Sequence, residues 1–392
     1  MSTVIRILRM AVYRALTTSL RLLIRPRRRR HFRLVVLKLD RLGDGVLSLG
    51  AVRHLMNVFG ENETLLIVST IAAPLFKREF PNAEFVVFPA FCPRFWPDLC
   101  LCLTKHASKL RRISADTLVC MRHQHSDYLH AIASLIEAGC CHASRWQNGL
   151  ERTSLSFPRC HYVPYPETST GTCLEIEAHR RVVASVIGVE TTLENVFPSF
   201  TKRKTGEGHG LLICPCAGDS IREYPAPLLA KVVELLLEKM TDMEVSVCLP
   251  PGNKRQPWKD SLSKCNEERI RWLEPDSFEA LLIVIANAGV VLAPDSAPAH
   301  LATALDKPGV FLLGGGHFGM FAPWGETGRQ VWLQHEMDCY QCGWNCCQSE
   351  PYCITRIQPE AVAQALISVI GEAVRSSAAF SAAAGIQDDR PK

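Results

Sequence analysis

Two short segments of this chain carry side chains that could do chemistry. The first is Lys38-Leu39-Asp40-Arg41-Leu42-Gly43-Asp44-Gly45. An apolar run precedes it and an amphipathic one follows, so the segment is a strand-to-helix turn. Gly43 and Gly45 let the backbone turn tightly and approach a ligand closely, and Arg41 lies in the same loop. Asp44 falls at the helix start, where aspartate commonly caps unpaired amides. Set at the mouth of a cleft, the same carboxylate suits the work of a general base. A dinucleotide fingerprint is excluded. Its third glycine falls in Val46-Leu47-Ser48, and the next strand ends at Ser69-Thr70 with no acid to hold a ribose.

The second segment is Ala293-Pro294-Asp295-Ser296-Ala297-Pro298-Ala299-His300. It has the form of a strand end, a turn and a helix start, with Asp295 or Ser296 as cap and Pro298 in the first turn. The free amides of such a helix end attract a phosphate or diphosphate. His300 is either a neighbour of that anion or a structural hydrogen-bonding group. Gly314-Gly315-Gly316-His317 follows the next strand and lies at the same sheet edge. Arg222, between the first strand and first helix of the second half, can either grip a phosphate through two N–H groups or stand solvated.

The elements that must position these residues alternate in βαβ fashion, the pattern of a parallel sheet covered on both faces. Apolar runs predict strands at 34–39, 65–69, 85–88 and 117–121. Helical spacing predicts helices at 46–59, 72–79, 99–112 and 128–138. The polar segment 198–210 is the best linker, after which the rhythm restarts. Strands are expected at 211–214, 244–249, 290–293 and 309–313, and helices at 225–240, 278–288, 299–305 and 359–374. The organisation is therefore an N-terminal domain at 33–197 and a C-terminal domain at 211–375. Each has its ligand edge at the carboxyl ends of the strands, facing a cleft. Residues 376–392 are expected to be a disordered tail.

The 392 residues carry a net charge of +5, but ten arginines and no acid lie within residues 1–33, which leaves the rest at −5. A body of that sign does not fit nucleic acid. Residues 1–32 form a basic amphipathic extension, apolar at Ile5, Leu8, Val12, Leu16, Leu20 and Leu23. Arginines interrupt it too often for a transmembrane span or a secretory signal. It suits an anionic membrane surface, a mobile tail or a transit segment. The 17 cysteines are too dispersed for a secreted disulfide scaffold. Five of them crowd between 339 and 353. Cys339, Cys342, Cys346 and Cys353 have the makings of a compressed four-thiolate zinc site, with disulfide pairing or free thiols as the alternatives.

Taken together, the motifs resemble glycosyltransferase family 9, the lipopolysaccharide heptosyltransferases. The resemblance rests on LKLDRLGDGVLSLGAVRHL, CPCAGDSIREYP and APDSAPAHLATALDKPGVFLLGG, and extends to CYQCGWNCCQSEPYCITRIQPEAV. It implies a GT-B fold, an α/β architecture of two Rossmann-like domains whose parallel sheets face a central cleft. It implies inverting transfer of heptose from ADP-heptose to the inner core of lipopolysaccharide, at the cytoplasmic face of the inner membrane, with no cofactor. By the same resemblance Asp44 is the catalytic base. Arg222 stands where the family has a donor-phosphate lysine. Asp295, Ser296, Ala297 (in place of a glycine), His300, Gly314 and Gly315 line the donor site, and Arg41, Gly43 and Gly45 form the acceptor-side loop. Another nucleotide sugar, or a non-catalytic nucleotide-sugar-binding protein of the same fold, remain the alternatives.

Overall fold

The computed structural model describes residues 3–89, 96–122, 127–145, 160–164, 173–201, 208–251, 256–263, 265, 267–325 and 329–383. The chain divides into two compact units, Met1–Pro198 and Ser199–Lys392. The first contains α1 (Thr3–Leu23), β1 (Arg30–Lys38), α2 (Leu42–Leu47), α3 (Leu49–Phe59), β2 (Thr64–Ser69), α4 (Ala73–Glu79) and β3 (Glu84–Phe88). It continues with α5 (Trp96–Arg111), β4 (Ile113–Cys120), α6 (Asp127–Ser134), β5 (Glu137–Arg145), β6 (Cys160–Pro164), α7 (Glu175–Ile187) and α8 (Leu193–Val196). The second contains β7 (His209–Ile213), α9 (Ala226–Lys239), β8 (Val245–Cys248), α10 (Gln256–Leu262), β9 (Ile270–Leu273), α11 (Phe278–Ala286) and β10 (Ala288–Pro294). After these come α12 (Ala297–Ala304), β11 (Gly309–Leu312), β12 (Gln330–Leu333), α13 (Tyr352–Thr355) and α14 (Pro359–Ala383).

Each unit holds one six-stranded sheet, in the orders β3-β2-β1-β4-β5-β6 and β12-β11-β10-β7-β8-β9. Every described pairing is parallel. Counted from its own first strand, each sheet is wound in the same order, three strands outward one way and three the other. The winding reverses between β1 and β4 and again between β7 and β10, where an open α/β sheet leaves a crevice at its carboxyl edge. The central strands are continuous apolar runs because helices cover both faces; Leu34, Val35, Val36 and Leu37 are fully buried.

Several expectations need correction. The predicted helix 46–59 is two helices broken at Ser48, whose hydroxyl donates to the Gly45 carbonyl (2.8 Å). The helix expected to run to 138 stops at Ser134, and Glu137–Arg145 is a strand. That strand has no apolar run of its own and is held by pairing with β4 and β6. Gly139 permits the close approach, since a Cβ there would lie 2.8 Å from the Asp116 carbonyl oxygen. Within the expected linker, residues 202–207 lie outside the described residues, and its last two residues already belong to β7. The final helix runs on to Ala383, into the segment expected to be disordered, carried by alanine's high helix propensity. Residues 384–392 lie outside the described residues.

The N-terminal helix is built into the first unit. Tyr13 and Thr17 are buried, and Leu16, Leu20 and Ile24 pack against the same core. Arg111 of α5 donates to the carbonyls of Ile24 (3.2 Å) and Arg21 (3.4 Å). Leu16 and Leu20, expected on a free apolar face, thus face protein. Leu8, Val12, Leu22 and Leu23 remain exposed. No described helix is long and apolar enough to cross a membrane. Because Tyr13 fills the core, Tyr13→Ala is expected to cost about 3 kcal/mol in denaturant unfolding; a free tail would leave the midpoint unchanged.

Candidate active site

In the first unit the chemistry gathers where β1 ends. Lys38, its last residue, is fully buried, and an ammonium ion without water needs compensation by charge. Its Nζ lies 2.8 Å from Glu175 Oε1 and 3.1 Å from Asp40 Oδ2. Glu175 opens α7 and is equally buried. One turn later, His179 Nε2 lies 3.2 Å from Glu175, and its Nδ1 lies 3.4 Å from the Leu47 carbonyl at the end of α2. From the loop after β4, Arg122 Nε reaches Asp40 Oδ1 at 3.3 Å.

Asp44 stands half-buried in the first turn of α2 beside this group. Its Oδ2 accepts the backbone N–H of Arg41 (3.1 Å), so Arg41 is the N-cap and Asp44 closes the capping box from the third helical position instead of capping itself. The carboxyl nevertheless sits among two other acids, Glu175 and Asp40, and two permanent cations, Lys38 and Arg122. Loss of hydration raises its pKa first, then the charges of Glu175 and Asp40; Lys38 and Arg122 pull the other way, and the result is about 7. A carboxylate poised near neutrality is suited to accept a proton and release it again. The Lys38 pKa is also raised, which for an amine favours the charged form. Burial lowers its pKa, but Glu175, Asp40 and Asp44 outweigh that, so it stays charged.

Of the other residues in this loop, Arg41 is exposed and Gly43 half-buried. Gly45 is buried, and a Cβ there would press on Leu75 and Ala72 at 3.3 and 3.4 Å, so this glycine lets α2 pack on α4.

In the second unit the corresponding edge lies after β7 and β10. Asp295 and Ser296 are buried at the end of β10, and Ser296 occupies the N-cap of α12 without bonding its amides. Its Oγ is buried with no hydrogen-bond partner among the described residues, and Ala297 is half-buried beside it. A buried hydroxyl left unsatisfied at a helix N-terminus fits an anionic ligand. Arg222 Nη1 donates to the Asp295 carbonyl (3.1 Å), which places the guanidinium at this same edge.

His300 faces inward. Trp324 Nε1 donates to its Nδ1 at 2.9 Å, which leaves the proton on Nε2, directed at Asp295 Oδ1 3.5 Å away. Burial alone would raise the Asp295 carboxyl, but the hydrogen bond from His300 and the nearby charge of Arg222 hold it below the usual range. His300 therefore braces Asp295.

The glycine run is explained by packing. A Cβ on Gly314 or Gly316 would meet the Trp344 ring at 2.4 and 2.3 Å, and one on Gly315 would meet Tyr340 at 2.3 Å. These rings belong to the cysteine-rich loop, which is tied down by Gln341 N–H to the Gly315 carbonyl (2.7 Å) and Gly343 N–H to the Gly316 carbonyl (2.9 Å). Cys353 is buried in the core of this unit, and Cys346 Sγ lies 3.6 Å from the Glu350 carbonyl. No disulfide joins the described cysteines. Among the described residues no group of three or more His, Cys, Asp or Glu is arranged to hold a metal ion. The zinc reading of Cys339, Cys342, Cys346 and Cys353 therefore has no geometry behind it.

Lys38, Asp40, Arg122, Glu175 and His179 were not anticipated as site residues. One signal was available, a lysine closing an otherwise apolar buried strand, which demands a buried acid.

The model of glycosyltransferase family 9 (heptosyltransferase) matches residues 131–352, more than half of the chain. That span holds Glu175, Arg222 and the Asp295–His300 segment, whereas Asp44 precedes it. Among solved structures, the chain is similar to the E. coli heptosyltransferase WaaC with ADP, at 15% identity and TM-score 0.63 over 86% of this chain and 99% of that one. It is similar to E. coli ADP-heptose lps heptosyltransferase II at 15% identity and TM-score 0.59, covering 87% and 99%. A glycosyl transferase family 9 protein from Veillonella parvula gives 13% identity and TM-score 0.63, covering 87% and 98%. The fold is the GT-B class of these structures. None of the curated proteins compared matches the chain.

The raised pKa of Asp44 has a consequence for stability. From about pH 4 to pH 7 the unfolded chain has released this proton and the folded chain has not, so stability falls as pH rises through that window. Asn keeps the acceptor for the Arg41 amide and removes the charge. Asp44→Asn is therefore expected to be more stable than wild type at pH 8, by about 1–2 kcal/mol after allowance for solvent screening, and no more stable at pH 4. Thermal unfolding at the two pH values checks this.

Proposed function

The chain belongs to glycosyltransferase family 9, and from that premise we propose that it transfers a heptose from ADP-heptose to a core sugar of lipopolysaccharide with inversion. The observation that carries the reading is Asp44, a carboxyl poised near neutrality at the carboxyl end of β1, beside the point where the sheet reverses its winding.

In this reaction the ionised Asp44 accepts the proton of the acceptor hydroxyl as that oxygen attacks the anomeric carbon. Attack opposite the leaving nucleotide inverts the centre through an oxocarbenium-like transition state, as in inverting glycosidases. Negative charge then grows on the departing diphosphate. Arg222, the free amides of α12 and the Ser296 hydroxyl are the groups suited to receive it. His300 keeps Asp295 ionised and fixed, so that the loop presenting those amides does not shift. Because Asp44 must be ionised, turnover is expected to rise with pH through about 7.

The assay is release of ADP and extension of a heptose-deficient lipopolysaccharide acceptor. Asp44→Ala is expected to lower kcat by about 10²–10⁴. A loss of only a few-fold removes Asp44 from the mechanism, and faster turnover with a different nucleotide sugar reassigns the donor.

We further propose that the chain works at the cytoplasmic face of the inner membrane, where such an acceptor is found. Support comes from α1 and the segment after it, where Leu8, Val12, Leu22 and Leu23 are exposed together with Arg14, Arg21, Arg25, Arg27 and Arg28. Each arginine near an anionic surface contributes about 1 kcal/mol. The protein is expected to sediment with phosphatidylglycerol vesicles but not with neutral ones. Replacing Arg25, Arg27 and Arg28 by Gln is expected to weaken binding about a hundredfold at low salt. Equal binding to both vesicle types refutes the membrane assignment.

A further inference from the structure

One buried hydroxyl ties the loop that leads to Asp44 to the loop beside it. Ser69 is the last residue of β2, and it is fully buried. Its Oγ donates to the Asp40 carbonyl (2.7 Å) and accepts the backbone N–H of Ala72, the N-cap of α4 (3.2 Å). The Asp40 carbonyl and the Arg41 N–H are the two ends of one planar peptide group. That N–H is the donor on Asp44 Oδ2, at 3.1 Å. An unbroken chain of hydrogen bonds thus runs from Ala72 N–H through the Ser69 hydroxyl and the Asp40–Arg41 peptide to the Asp44 carboxyl, and each bond in such a chain polarises the next. The same loops also meet beside Asp44, where a Cβ on Gly45 would press on Ala72 and Leu75. A tie that served folding alone could fall on any carbonyl of the loop. This one falls on the peptide that holds the Asp44 carboxyl.

We propose that Ser69 is a positioning residue for the transfer reaction: its hydroxyl fixes the plane of the Asp40–Arg41 peptide, so that the Arg41 N–H keeps Asp44 Oδ2 occupied and Oδ1 is left to take the acceptor proton. The inference rests on the reading of Asp44 as the base. The charged groups that face Asp44 are Glu175 from α7, Asp40 and Lys38 from the end of β1, and Arg122 from the loop after β4. Ser69→Ala alters none of them. It removes the donor that holds the peptide plane, so the Arg41 N–H is free to turn from the carboxyl. A hydrogen bond to the ionised form favours that form, and its loss moves the titration midpoint up. A carboxylate free to rotate also meets the acceptor hydroxyl less often in the productive direction, which lowers kcat. Binding of the nucleotide sugar, assigned to groups of the second unit, is left as it was.

The test labels the full chain with carbon-13 at aspartate carbonyls and nitrogen-15 in arginine. Only Arg41 and Arg390 follow an aspartate, so two amides are selected, and Arg41 is identified by its loss in Arg41→Lys. In wild type the Arg41 amide is expected to shift with the titration of Asp44, and the shift to vanish in Asp44→Asn. In Ser69→Ala its hydrogen exchange is expected to be about tenfold faster, and the midpoint it reports to rise by about half a pH unit. The acid limb of kcat is expected to rise with it. The plateau of kcat is expected to fall about tenfold, with KM for ADP-heptose within about twofold of wild type. Ser69→Cys, whose thiol is a weaker donor, is expected to fall between the two and carries the test if Ser69→Ala does not fold. A merely structural serine would lower the unfolding temperature and leave both midpoints in place. An Arg41 amide that ignores the Asp44 titration, or midpoints unchanged in every folded Ser69 variant, overturns the inference. Wild-type turnover in Asp44→Asn overturns instead the reading of Asp44 as the base, and the Arg41 amide still decides whether Ser69 orients the bond to that carboxyl.

Discussion

A parallel sheet wound outward in both directions from its first strand cannot close its carboxyl edge where the winding reverses. The connections after the two central strands leave on opposite faces, and a crevice opens between them. Both sheets here are wound in that way, about β1 and β4 and about β7 and β10. Every residue with chemistry in it sits on one of those four connections or on a helix packed against one. Lys38, Asp40 and Asp44 follow β1, and Arg122 follows β4. Arg222 follows β7, and Asp295 and Ser296 follow β10. The fold thus determines where polar groups can be gathered without breaking a core, and the sequence determines which groups they are.

What is gathered differs between the units. At the end of β1, burial together with the charges of Glu175 and Asp40 outweighs Lys38 and Arg122, so one carboxyl holds its proton until about pH 7. At the end of β10 the single acid is surrounded by donors and stays ionised well below that. One arrangement produces a group that can take a proton near neutrality. The other produces a fixed anion whose purpose is mechanical, since Asp295 is engaged by His300, and Arg222 is bound through its carbonyl. Burial acts alike on both carboxyls, and the neighbours decide the outcome.

Much of this was legible in the sequence. The apolar runs that became β1, β2, β4, β10 and β11 were plain, because strands buried on both faces leave little ambiguity. Asp44 and Asp295 stood out as acids at strand-to-helix turns. What was missed is what depends on distance along the chain. β5 is small and polar and is a strand only because β4 and β6 flank it. The partnership of Lys38 with Glu175 joins residues that share no local pattern. Gly314–Gly316 were read only as a loop at the donor edge, and the packing that requires glycines there, the rings of Trp344 and Tyr340, comes from a loop some twenty-five residues on. Cys339, Cys342, Cys346 and Cys353 line one small pocket, as their spacing suggests, yet Cys353 is anchored in the core and Cys346 engages a backbone carbonyl, and they form no metal-holding group among the described residues.

The N-terminal helix shows the same limit from another side. Its periodicity marked it as amphipathic, and amphipathicity alone cannot say what lies against the apolar face. The structure divides that helix between two surfaces. Tyr13, Leu16, Thr17 and Leu20 meet the core of the first unit, and Leu8, Val12, Leu22 and Leu23 do not. A free amphipathic tail would lose ordering entropy each time it settled on a membrane, whereas a helix already held by α5 and α6 has met that cost during folding. Its exposed leucines and arginines are presented as a fixed surface. Whatever they bind is met without further ordering of the chain, so modest contacts of about 1 kcal/mol per arginine are enough to matter.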